Sequence, residues 1–186
     1  EMFRVVIQLG AILAVVVLYF KKLWPFCADN GRDSGFSRHF RWPVVRLWCK
    51  IIVACVPAAV LGLLLDDWLD AHLYNSITVA LMLIIYGIAF ILIERRPRVP
   101  TTTKLSRITY KQALIVGAWQ VLALIPGTSR SGSTIIGGLL CGMSRPAASQ
   151  FTFFLAIPVM AGASGLKLVK FLAKGGVFTL AEISAL

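Results

Sequence analysis

Residues 126–134 read PGTSRSGST, a run of small polar residues around one arginine, set between the apolar stretches ALIVGAWQVLALI at 113–125 and IIGGLLCGM at 135–143. The apolar setting is typical of the whole chain. Of 186 residues 58% are hydrophobic and 15% charged, and the mean hydropathy is +0.81, which lies outside the range of soluble domains. The sequence is therefore read as an all-α integral membrane protein, a polytopic helical bundle. A spanning helix needs about 20 mostly apolar residues. Windows of that kind lie at about 3–20, 44–65, 77–93 and 147–172.

The arms of the polar run, Tyr110–Ile125 and Gly132–Met143, are too short or too interrupted to cross comfortably, and Pro126 and Gly127 bend the chain between them. Short arms around such a bend predict a re-entrant helix hairpin over about 110–143, which buries irregular backbone in protein instead of lipid. Two full spans joined by a tight loop are the other arrangement open to this pattern.

Nineteen Lys and Arg against eight Asp and Glu give a formal charge of +11, which in a soluble protein would point to nucleic acid. Their placement argues against nucleic acid. Lys21, Lys22, Arg32, Arg38 and Arg41 crowd the basic loop 21–43, and Arg95, Arg96, Arg98, Lys104, Arg107 and Lys111 crowd 94–111. Both stretches fit cytoplasmic loops. Asp66, Asp67 and Asp70, with no Lys or Arg beside them, fit the outer side, so the first span runs inward. A hairpin that enters and leaves from the cytoplasm would send the last span outward. Lys167, Lys170 and Lys174 would then lie against the charge rule, a conflict that the charge pattern leaves open.

The remaining reactive side chains form no motif. Cys27, Cys49, Cys55 and Cys141 lack CxxC spacing and are read as small apolar packing residues in preference to metal or disulfide partners. His39 and His72 lie far apart and are read as solvated. Gln8 and Gln120 are amides in apolar segments, for which an interhelical hydrogen bond is preferred over a place in a site. The glycines at 138 and 142 and the small residues Ala161 to Gly165 are read as helix-packing positions.

Packing does not account for Arg130. An arginine at bilayer depth costs from about 2.5 to more than 10 kcal/mol unless it pairs or meets water. Glu94, the three aspartates and Glu182 belong to other segments, so the missing counter-charge points to a substrate anion. The neighbours suit an oxyanion. Gly127 and Gly132 permit a bend and close approach, and Ser129, Ser131, Ser133 and Thr134 carry hydroxyls. A helix restarting near Ser131 would aim its unpaired N–H groups and dipole at a phosphate, with the arginine as a two-pronged donor. The G-x-x-x-x-G-S-T spacing from Gly127 to Thr134 is not a nucleotide loop, because Ser133 stands where the lysine is required and no strand precedes it.

PGTSRSGST resembles the PGxSRSxxT motif of the bacterial undecaprenyl-diphosphate phosphatases of the bacitracin-resistance type. FRVVIQLGAILAVVV at 3–17 and SRPAASQFTFFLAIPVMAGA at 144–163 are similar to segments that follow the two motifs of that family. The resemblance implies an inner-membrane, multi-pass enzyme that hydrolyses undecaprenyl diphosphate to undecaprenyl phosphate and inorganic phosphate, recycling the carrier for peptidoglycan synthesis. It also implies a divalent cation, Mg2+ or Ca2+, and a transporter-like fold of inverted halves, each with a re-entrant hairpin. FRVVIQLGAILA and FTFFLAIPVMAG, beginning at Phe3 and Phe151 and running in opposite directions by charge, fit such halves.

By motif match, Arg130, Ser129 and Thr134 are the expected catalytic positions, and Gly127, Ser131 and Ser133 the expected diphosphate-binding ones. Arg130 would hold the diphosphate and stabilise the transferred phosphoryl group, and Ser129 and Thr134 would position its oxygens, with a hydroxyl nucleophile as an open alternative. The glutamate-rich first motif of the family, ending in a Ser-Ser-Thr-Gly-His run, has no counterpart here, and Glu1 is not its remnant. Metal ligands are accordingly expected upstream and none in this chain. The sequence is expected to be a fragment lacking both termini and inactive alone. A polyprenyl phosphate transporter or flippase is the second functional reading, and a homodimer is an arrangement the sequence allows.

Overall fold

The computed structural model describes residues 2–24, 41–95 and 99–173. Cys27, Arg32, Arg38, His39, Arg96, Arg98, Lys174 and Glu182 lie outside the described residues. So do the side chains of Gln8, Lys21, Asp66, Asp67, Asp70, Lys167 and Lys170.

Six α-helices form the described chain: α1 (Met2–Leu23), α2 (Trp42–Leu73), α3 (Ser76–Arg95), α4 (Tyr110–Val121), α5 (Arg130–Leu140) and α6 (Arg145–Ala173). Among the described residues there is no strand, only an isolated bridge between Thr102 and Met143. Trp42–Leu65, Ser76–Arg95 and Arg145–Gly165 are long and apolar enough to cross a membrane, and Gly10–Phe20 is a shorter apolar helix. α2 continues past Leu65 to Leu73, because nothing breaks it before Asn75. There the Asn75 carboxamide accepts from Thr78 N at 2.8 Å and closes the turn into α3.

The polar run separates two short helices. α4 and α5 have 12 and 11 residues, so they extend about 18 and about 16 Å at 1.5 Å per residue, well below a hydrocarbon core of about 30 Å. Both ends of this hairpin are specified locally. Thr109 and Gln112 make a reciprocal capping box, with Gln112 N donating to Thr109 Oγ1 at 3.2 Å and Thr109 N to Gln112 Oε1 at 3.0 Å. At the other end Gly142, at φ +86°, closes α5 with a Schellman pair: Gly142 N donates to Leu139 O and Met143 N to Gly138 O. Gly142 is therefore a turn residue, which corrects its reading as a helix-packing position. The Gln112 amide links the two ends by donating to Thr102 Oγ1 at 3.1 Å and to Cys141 O at 3.0 Å.

α4 lies along α2, α5 lies between α4 and α6, and α1 lies along α6. Their shared core holds Phe151, Phe154 and Leu155 of α6, Leu47, Ile51 and Ala54 of α2, and Ala113 and Val116 of α4. Tyr19 meets Phe154 edge-on at 5.2 Å, and Trp48 Nε1 donates to Leu23 O at the end of α1. Small residues set the spacing. A Cβ at Gly117 would fall 2.3 Å from Ala54 O, and one at Gly137 would fall 2.6 Å from Trp119 Cγ.

α3 differs from the others. It is apolar all round and Tyr86 is its buried residue, while Ile77, Leu81, Ile84, Ile88 and Ile91 are exposed, as expected of a helix facing lipid. Its inward contacts follow one face: Val79 against Gly127, Tyr86 on Ser133, Phe90 against Gly132, and Glu94 in a two-pronged pair with Arg145.

Three further expectations change. Among the described residues Ala161, Gly162, Ala163 and Gly165 are exposed, a Cβ at either glycine would meet no other element within 4 Å, and Ser164 alone of that stretch is buried. Cys55 and Cys141 pack against the core, but Cys49 is exposed on α2. The Gln120 amide is buried at 3% exposure, yet its Nε2 has no hydrogen-bond partner among the described residues.

Because Gly117 touches the α2 backbone and not a movable side chain, Gly117→Ala should destabilise the protein by about 1–3 kcal/mol through forced separation of α2 and α4. Thermal unfolding in detergent checks this, with Gly87→Ala, which meets open space, as the neutral control.

Candidate functional site

The bend between α4 and α5 is built by residue-level requirements. A short 3-10 turn, Leu122–Leu124, ends α4, and Pro126 follows. Gly127 takes φ +86°, a left-handed conformation that suits glycine, and it lies so close to α3 that a Cβ would be 2.6 Å from Val79 Cα. Ser129 then caps α5, its hydroxyl accepting from Gly132 N at 3.2 Å and lying 3.3 Å from Ser131 Oγ. Arg130 is the first residue of α5, one position before the restart expected from sequence. With Gly132 N and Ser133 N occupied by Ser129, the N–H groups of Arg130 and Ser131 are the orphan donors of this helix start.

The hydroxyls expected in one site fall into two groups. Ser129 and Ser131 are exposed at the mouth of the bend beside half-buried Arg130. Ser133 and Thr134 are buried, at 0% and 1% exposure, and are engaged within the protein. Ser133 donates to Trp119 O and accepts from Tyr86 OH at 3.2 Å, binding α3, α4 and α5 together. Its proton and one of its lone pairs are thus engaged in the fold, away from the mouth where Ser129 and Ser131 lie. Thr134 donates back to Arg130 O at 3.0 Å or Ser131 O at 3.1 Å and accepts from Thr152 Oγ1 at 3.0 Å. That geometry makes Thr134 a support of the arginine-bearing turn instead of a group at the mouth. Gly127 likewise acts through its backbone.

Arg130 reaches a cavity of about 230 Å³ between α1, α5 and α6. Arg130, Ser131 and Thr152 form its polar end, and Ala11, Ile12, Val15, Phe153, Ile157 and Met160 are among its apolar walls. Among the described residues the guanidinium has no carboxylate partner and no hydrogen-bond acceptor. Glu94, the acidic side chain nearest in the sequence reading, is committed to Arg145 at the far end of α3. A cation at the head of an apolar cavity with adjacent hydroxyls and orphan N–H groups can hold an anionic head group attached to an apolar tail.

Residues 1–185 match the family profile described as bacitracin resistance protein BacA. The chain belongs to the BacA family. Among curated BacA relatives, the undecaprenyl-diphosphatase of Enterococcus faecalis (strain ATCC 700802 / V583) is 60% identical over 185 residues, covering 98% of this chain and 65% of the relative. A second Enterococcus faecalis undecaprenyl-diphosphatase is 55% identical over 188 residues, covering 100% and 66%. The Streptococcus gordonii undecaprenyl-diphosphatase is 54% identical over 188 residues, covering 100% and 64%. The chain thus spans about two thirds of the BacA relatives it matches, between 64% and 66% for these three.

Three residues of this BacA site escaped the sequence reading. Thr128 carries a buried hydroxyl without a partner among the described residues. Tyr86 and Thr152 supply the hydrogen bonds to Ser133 and Thr134 from helices that read as plain apolar spans. Each hydroxyl stood in a span with others, Thr78 beside Tyr86 in one and Ser149 and Ser164 beside Thr152 in the other, and nothing in the sequence indicated which would meet the bend.

If Ser133 is a structural tie, Ser133→Ala should lower stability by about 1–3 kcal/mol, the cost of leaving buried polar partners unsatisfied. The same change should leave pyrophosphate affinity within about twofold of wild type, since the Ser133 hydroxyl faces Tyr86 and Trp119 and does not line the Arg130 cavity. Unfolding and titration calorimetry on the same preparations read both quantities.

Proposed function

We propose that the full-length protein is a multi-pass enzyme of the bacterial inner membrane that hydrolyses undecaprenyl diphosphate to undecaprenyl phosphate and inorganic phosphate. The observation that carries the reading is the cavity headed by Arg130: a cation without a described counter-charge beside hydroxyls, opening onto an apolar wall. A polyprenyl diphosphate has that polarity, with a charged head and a hydrocarbon tail. The names of the relatives support hydrolysis over transport of a polyprenyl phosphate.

In this reading α4 and α5 form a re-entrant hairpin that carries the site to membrane depth, consistent with their short length and paired open ends. α1 and α6, packed on one another, belong to the two inverted halves. The Arg130 guanidinium binds the diphosphate oxygens bidentately, and the N–H groups of Arg130 and Ser131 point the α5 dipole at them. Hydrolysis forms a bond from a water oxygen to the terminal phosphorus and breaks the bridging P–O bond. The electron pair leaves on undecaprenyl phosphate, and Arg130 stabilises the charge spread over the transferred group. Ser129 and Ser131 position phosphate oxygens from the mouth. Ser129 is the hydroxyl with access for a covalent step, since Thr134 is enclosed.

The divalent cation expected from the family is tested by the donors present. Among the described residues no three His, Cys, Asp or Glu side chains come together, so the described residues around Arg130 do not fit a divalent cation, and no step is assigned to one. We infer that Mg2+ or Ca2+ is held by carboxylates of the longer protein.

The test is phosphate release from undecaprenyl diphosphate with and without Mg2+ or Ca2+. It compares the full-length protein, its Arg130→Ala variant and residues 1–186 alone. Expected are metal-dependent release by the full-length protein, a loss of at least about 100-fold in Arg130→Ala, and none from residues 1–186. Release that persists in Arg130→Ala would remove the proposed site, and no release from folded full-length protein would remove the activity.

A further inference from the structure

α6 reads as an apolar helix, and of the buried residues in its turn Phe151–Leu155 one is polar, Thr152, at 5% exposure. A threonine inside a helix usually donates to the carbonyl four residues earlier. Here its proton goes to another helix. Thr152 Oγ1 donates to Thr134 Oγ1 at 3.0 Å, across 18 residues of sequence. Thr134 has one proton of its own, and both acceptors within reach of it are backbone carbonyls of the first turn of α5, Arg130 O and Ser131 O. The lone pair that receives Thr152 has no other described donor. The chain of bonds therefore runs from α6 through one hydroxyl to the backbone of the two residues at the cavity's polar end. Thr152 also lines that cavity, beside Arg130 and Ser131.

We propose that Thr152 is a positioning residue for the Arg130 site. It acts through Thr134, fixing the first turn of α5 and hence the origin of the guanidinium and the direction of the Arg130 and Ser131 N–H groups. This rests on the reading of that turn as the diphosphate grip. The physical requirement is directional. Thr134 could turn its hydroxyl toward other acceptors if nothing occupied its lone pair, and the donor from α6 fixes its rotamer so that the proton faces the α5 carbonyls. A valine at 152 keeps the shape and removes the donor, whereas serine keeps the donor and removes a methyl group.

The experiment measures phosphate release from undecaprenyl diphosphate, and affinity for inorganic pyrophosphate, in full-length protein carrying Thr152→Val, Thr152→Ser, Thr134→Val and the Thr134→Val/Thr152→Val pair. Thr152→Val should lower kcat about tenfold and raise KM several-fold, since a displaced guanidinium loses head-group binding as well as transition-state alignment. Thr152→Ser should recover most of it. The double variant should be no slower than Thr134→Val alone, because Thr152 has nothing left to act through. A purely structural Thr152 would instead lower the amount of folded enzyme at unchanged kcat, or give additive losses in the double variant, and either result overturns the proposal. If Thr152→Val does not fold, Thr152→Ala is judged by the same criteria. If wild type binds pyrophosphate but releases no phosphate, the phosphatase reading fails by itself. Thr152 is then decided by pyrophosphate affinity, expected to fall several-fold in Thr152→Val and recover in Thr152→Ser, with equal affinities overturning it.

Discussion

The polar bend at 126–134 lies among apolar helices, and the hydroxyls it turns inward, Ser133 and Thr134, have to find their partners within protein. The rest of the arrangement follows from that requirement. Ser129 takes two N–H groups of α5, Ser133 donates to the Trp119 carbonyl in the last turn of α4, and Thr134 folds back on the first turn. Each bond closed inside the hairpin leaves one fewer donor to compete for an anion. What remains open at the mouth is a small set: the Arg130 guanidinium, two N–H groups and the hydroxyls of Ser129 and Ser131.

Close approach makes these bonds reachable. Hydrogen bonds between helices need backbones nearer than large side chains permit, and glycine stands where they meet: Gly117 on Ala54, Gly127 on Val79, Gly132 by Phe90 and Gly137 on Trp119. The α4–α5 hairpin is thus gripped by α2 on one side and α3 on the other. α6 completes the enclosure with Phe151, Phe154 and Thr152, and the cavity lies where α1 crosses that face. The polar end of the cavity is fixed from behind and open in front, a suitable condition for a group that must hold its position while charge moves on its ligand.

Much of this was legible in the residues. Apolar windows marked the long helices, Pro126 and Gly127 marked the bend, and Arg130 stood out because an unpaired guanidinium among apolar helices demands a reason. Gly142 was misread because GxxxG spacing looks the same whether its second glycine packs a helix or ends one. In the stripe from Ala161 to Gly165 Ser164 alone is buried among the described residues, since small residues permit contact without requiring it.

By itself the sequence determined the helical membrane character, the short paired arms and the singular arginine, all of which depend on composition and on neighbours within a turn or two. Only the tertiary structure decided which hydroxyls of PGTSRSGST face outward and which inward. That choice depends on donors and acceptors 14, 18 and 47 residues away, on Trp119, Thr152 and Tyr86. A serine carries the same side chain at 129, 131 and 133, and its role is set by what the packed helices place opposite it.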